Sequence, residues 1–128
     1  MPKGVIILKW DDEVGANLIA KYPDNLKISS KTLLNIYTNH RLNNIKPGFA
    51  ALNLPDMKVL SFFSGMGKEF VVASNHVIAF LLLRNEKPAP FKELLKKSSA
   101  EILAHLDDHQ YLNQISKIFK EMCKISSS

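Results

Sequence analysis

The sequence predicts an α+β domain in which a mostly antiparallel sheet of five or six strands is covered on both faces, in the order ββαβββαα or with one strand more. Three observations carry this prediction. Residues 77–83, VIAFLLL, are seven consecutive apolar residues between His76 and Arg84; a half-exposed strand would alternate, so this strand is buried on both faces. Segments with a helical apolar period stand before it, at 32–41, and after it, from Phe91 onward. One early helix and two late ones supply the cover if they lie on opposite sides of the sheet.

The first strand is GVIILKW, residues 4–10, followed by the polar turn DDEVG and a second strand, NLIAKY, that ends at Pro23. Gly15 gives the turn its backbone freedom, and the pair reads as a β-hairpin. VIIL is continuous whereas LIA is flanked by Asn17 and Lys21, so the first strand is the more central and the second lies nearer an edge. Ile28, Ser29 and Ser30 form a helix start, with a serine cap and Ile28 placed to staple onto Leu33. The helix spans residues 30–42, with Leu33, Ile36, Tyr37 and His40 on one face, until Asn43, Asn44, Pro47 and Gly48 turn the chain.

FAALNL and MKVLSFFS flank Pro55 and Asp56 as a second hairpin. Residues 64–67, SGMG, form a connection, and 69–73 are extended again. Ser74 and Asn75 then make either a tight turn into the apolar strand or a bulge within one long strand, and this choice separates five strands from six. After the polar loop 84–90, a helix carries the stripe Phe91, Leu94, Leu95, Ile102, Leu103 and Leu106. Asp107 and Asp108 break it, and the last helix repeats the period at Tyr111, Leu112, Ile115, Ile118, Phe119 and Met122.

The 128 residues fit a single domain, 1–128, and with 46% apolar and 23% charged residues the composition is that of a folded globular chain. The N-terminal apolar stretch VIIL is too short for a signal peptide, and no run approaches a membrane span. A cytoplasmic protein is expected, with contact at a membrane surface left open. The lone Cys123 offers no disulfide framework and reads as a packed helical thiol. The net charge of +5 rests on lysine, with Arg41 and Arg84 as the two arginines. A lysine surplus without an aromatic-interleaved basic motif points to solubility and away from nucleic-acid readout.

Each candidate for chemistry has a plainer reading. Asp11, Asp12 and Glu13 stand alone on a turn, short of a calcium loop's ligands. SGMGKEF lacks the spacing and the following helix of a phosphate-binding loop. HLDDH, residues 105–109, puts a helix break between its histidines and offers no further metal ligand. His76 and Ser74 lack a third partner. No catalytic residue, metal site or cofactor is assigned. Two surfaces are open to partners: Tyr37, His40 and Arg41, which would form an aromatic and basic anchor if that helix face were exposed, and the lysine faces Lys92, Lys96, Lys117, Lys120 and Lys124, which could meet an anionic surface.

The opening KGVIILKWDDEVGANLIAKYP, the later SSKTLLNIYTNHR and LSFFSG, and the continuous apolar strand together resemble the longin-like domains, in particular the short standalone archaeal ones. The resemblance spans nearly the whole chain and departs from the family at residues 68–76. It implies a five-stranded antiparallel sheet with one helix on one face and two on the other. It also implies a binding platform of a membrane-traffic-like or small-GTPase regulatory assembly. The partners it implies are a small GTPase and another longin or roadblock domain, a second copy of the chain among them. The alternatives are a peripheral membrane-surface binder and a profilin-like cytoskeletal binder, although a profilin begins with a helix.

Overall fold

The computed structural model describes residues 2–11, 13, 15–41, 48–65, 75–106 and 111–127. Five strands, β1 (Gly4–Asp11), β2 (Gly15–Tyr22), β3 (Gly48–Asn53), β4 (Lys58–Phe63) and β5 (His76–Leu82), form one antiparallel sheet in the order β2-β1-β5-β4-β3. The helices are α1 (Ser30–Arg41), α2 (Lys92–Ala104) and α3 (Tyr111–Ser127), with a 3₁₀ turn, Ala89–Phe91, leading into α2. The predicted strand at 69–73, and with it the question of a sixth strand, falls outside the described residues.

The apolar run becomes the middle strand, and every residue of β5 is buried. Its alternate side chains enter two separate cores. Val77, Ala79 and Leu81 join Ile6, Leu8, Val59 and Phe63 beneath α1, where Leu33, Ile36 and Tyr37 pack on them. Ile78, Phe80 and Leu82 join Val5, Ile7 and Leu60 on the other face, under Leu95 and Ile102 of α2 and Ile115, Ile118 and Met122 of α3. This two-sided cover is why the run does not alternate. The strand stops one residue short of the predicted end, because the Leu83 N–H leaves the ladder and donates to Glu86 Oε1 at 2.7 Å.

Local signals account for the element ends. Ser29 Oγ accepts the Thr32 N–H at 3.1 Å, capping α1, and Ile28 packs in the same cluster as Leu33. Gly15 has φ +83°, the left-handed conformation the first turn requires. In the last helix Tyr111, Ile115, Ile118, Phe119 and Met122 are buried as predicted, but Leu112 is 52% exposed. It stands roughly 100° around the helix from Tyr111, at the margin of the stripe and out of reach of the sheet. The fully covered face of α2 instead includes Ser98 and Ser99, small residues whose polarity hid them from a pattern reading. Leu94, Leu103 and Leu106 are only partly buried, and Cys123 is half-buried in α3.

Candidate interaction surfaces

Tyr37 and His40 project from α1 into the sheet and not toward solvent. The Tyr37 ring stacks on Trp10 of β1 with centroids 4.7 Å apart and planes 10° from parallel. It also meets the Phe63 ring edge-on at 5.8 Å. The Tyr37 hydroxyl donates to Asn75 Oδ1 at 3.1 Å. Asn75 carries φ +62°, a conformation that asparagine tolerates better than most residues. Its N–H donates to the Gly65 carbonyl at 2.7 Å, and its carbonyl accepts the Trp10 N–H at 2.9 Å. Tyr37 therefore ties α1 to the entry of β5.

His40 lies one helical turn further on, with Nε2 2.7 Å from Ser61 Oγ and its ring 5.5 Å from that of Phe63. Burial lowers its pKa from 6.5 to about 4, so at neutral pH the imidazole is uncharged. A neutral histidine within hydrogen-bond distance of a serine is the first half of a nucleophile pair. Here, however, His40 is 6% and Ser61 1% exposed, and the bond joins the helix to β4 away from solvent. His76 is likewise buried, and its backbone N–H donates to Ser64 Oγ at 2.9 Å; Ser74 lies outside the described residues. The anchor expected of Tyr37, His40 and Arg41 required an exposed face, and the fold spends the first two side chains on the core. Arg41 ends α1.

The other candidates lie on the surface. Asp11 and Glu13 flank the first turn, where Asp11 Oδ1 accepts the Glu13 N–H at 2.7 Å; Asp12 lies outside the described residues, as do most of the predicted glycine-rich loop and Asp107, Asp108 and His109. Lys92, Lys96, Lys117, Lys120 and Lys124 are all exposed, as the helical period predicts. They are interspersed with acids. Lys124 Nζ lies 3.2 Å from Glu121 Oε1, and a groove of about 190 Å³ between α2 and α3, floored by Leu94 and Ile118, is rimmed by Lys97, Glu101, Lys117 and Glu121. A second pocket, of about 390 Å³, opens where Leu83, Glu86, Pro90 and Phe91 meet Ile125 and Ser126. Glu86 accepts hydrogen bonds there from Leu83 N–H and Ser126 Oγ, so its carboxylate is already occupied in joining the end of β5 to the end of α3.

One surface went unnoticed in the sequence. β3 is the outermost strand, with no strand among the described residues on its far side, and its side chains alternate between half-buried and exposed. Phe49 is 37% exposed, set against Phe62 of β4 at 5.0 Å, with Lys92 Nζ 5.9 Å from its ring centroid. The signal was available: GFAALN contains no charge and no proline, the two residue classes that natural edge strands use to prevent further pairing.

No protein-family profile matches the chain, and no curated protein matches it.

Proposed function

We propose that this chain is a non-enzymatic interaction module of longin type, acting within a small-GTPase regulatory or membrane-traffic-like assembly. The observation that carries this reading is the division of labour between core and surface. The histidine and serine geometry that could begin a reaction is sealed inside the α1 face, while the sheet offers an open, uncharged edge at β3 beside an exposed aromatic ring. Such an edge suits recognition by backbone pairing. The five-stranded antiparallel sheet, with α1 on one face and α2 and α3 on the other, supports the longin resemblance of the sequence, and with it a small GTPase or another longin or roadblock domain as partner.

The test is calorimetric titration of the purified protein against small GTPases of the same cell in GDP-bound, GTP-analogue-bound and nucleotide-free forms. Saturable binding with a preference for one nucleotide state is expected. Heat from none of them would retire the GTPase assignment. The peripheral-membrane reading would then gain if flotation on vesicles rises with anionic lipid, although Glu93, Glu101 and Glu121 among the lysines dilute the field such a surface would feel.

A further inference from the structure

We infer that the outer edge of β3 is a strand-addition site for an extended acidic segment of another protein. This rests on reading the chain as an interaction module, and it adds where one partner binds and what its chemistry is.

The backbone comes first. The Leu54 N–H donates to the Met57 carbonyl at 2.8 Å across the hairpin turn. Antiparallel pairs alternate between bonded and non-bonded, so the register carries bonded pairs at Leu52 with Val59, Ala50 with Ser61 and Gly48 with Phe63. The N–H and C=O groups of Phe49, Ala51 and Asn53 therefore point away from β4. These are also the three exposed residues of the strand. They offer a short, regular ladder to an incoming chain.

The side chains set what that chain should carry. Phe49, Ala51 and Asn53 share the sheet face of α2 and α3 with Lys58 and Phe62, because strand residues alternate and Leu60, between Lys58 and Phe62, packs in that core. Ala51 is thus a low point between Phe49 and Asn53, fitted to an apolar side chain from an added strand. Lys92 stands over Phe49 at one end of the edge, and Lys58, paired with Asn53, stands at the other. Asp56, the hairpin's one acid, is exposed on the turn beyond Asn53, so the Phe49 end beside Lys92 is where a carboxylate gains most. A second copy of the chain fits less well, since each brings a net charge of +5.

The experiment is a two-dimensional amide NMR titration of the full chain with a blocked decapeptide of alternating valine and glutamate, set against its valine and lysine counterpart. The acidic peptide should shift the amides of Phe49, Ala51 and Asn53, slow their hydrogen exchange, and bind more tightly than the basic one. Ala51→Pro, which removes an outward N–H without touching the β4 ladder, should abolish these shifts. Ala51→Glu, a surface change, should do the same by repulsion and guards against a folding defect in the proline variant. Lys92→Glu should weaken binding about two- to fivefold, the range of an exposed ion pair. The proposal is overturned by shifts confined to the lysine faces of α2 and α3, by equal binding of both peptides, or by concentration-dependent dimerisation through β3 in place of peptide binding. It also fails, with the proposed function left standing, if no peptide binds while a small GTPase does; if neither binds, both fail.

Discussion

Among the described strands β2 and β3 lie at the two ends of the sheet, yet of the two β2 carries more of the devices that keep an edge from accepting another strand. The register between β1 and β2 shifts between Ile7 and Leu8, where Ile19 is inserted as a bulge, and a bulge twists an edge away from regular pairing. Lys21 lies on β2, and its Nζ donates to the Leu26 carbonyl at 2.9 Å, drawing the following loop back against the strand. Helices cover both faces, α1 on one side and α3 on the other, and Ala20 is buried in the core on the α3 side. Of these devices β3 shares only the cover of α1 on one face; it has no bulge and no lysine. It is regular along six residues, uncharged, and exposed at every second position. The difference teaches that one edge is built as part of the core and the other as a surface.

The sharpest way to test this difference is to put proline on each edge. The Trp10 N–H donates to the Asn75 carbonyl at 2.9 Å, which sets the alternation of bonded pairs along β1 and turns Ile7 toward Ala20 in a bonded pair. Ala20→Pro therefore removes a ladder hydrogen bond and crowds a buried site, and should cost roughly 3 to 5 kcal/mol. Ala51→Pro points its missing N–H outward and should cost less than about 1 kcal/mol. Urea denaturation of the two variants beside the parent measures both, and equal losses would erase the distinction.

Acid is the next test, and it acts on the seat of α1 over β4, which His40 makes through Ser61. The folded-state pKa lies below the ordinary value, so between pH 6.5 and about 4 the unfolded chain binds the proton and the folded one does not. Stability from this group is complete above pH 6.5 and is lost as the pH falls to about 4. The loss is on the order of 3 kcal/mol. His40→Gln should flatten that segment of the stability profile, and its persistence in the variant would assign the acid sensitivity elsewhere.

A smaller effect concerns Tyr37. Tyr37→Phe keeps the stacking on Trp10 and the edge contact with Phe63 but removes the bond to Asn75 Oδ1, and should cost about 1 kcal/mol. Asn75→Gly in that background should restore part of it, since glycine accepts the left-handed backbone at φ +62°. Smallest of all, Ala51→Lys should change stability by no more than about 0.5 kcal/mol, because the site is exposed; a larger loss would mean that the β3 edge is already covered.

Much of this architecture is legible in the sequence because it follows from local pattern. Seven apolar residues without alternation could only be a strand covered twice, and the serine cap with Ile28 beside it fixes the start of α1. The position of Leu112 is less legible, since a helical period tolerates one residue at the margin and only the distance to the sheet decides its exposure. The roles of Tyr37 and His40 were half visible. Periodicity places both on the inner face, but their partners Asn75 and Ser61 lie 38 and 21 residues away, and no local pattern encodes that pairing. The open edge was hardest to read. GFAALN looks like any short strand until the strand order shows that no strand among the described residues lies beyond it.

The most direct test of the account is residue-resolved hydrogen exchange on the dilute, partner-free protein. The account predicts an alternating record along β3: slow exchange at Gly48, Ala50 and Leu52, whose N–H groups face β4, and fast exchange at Phe49, Ala51 and Asn53. Uniform protection of all six in a dilute monomer would mean that the edge is already paired, and would contradict the claim that β3 is the surface this protein keeps open for a partner.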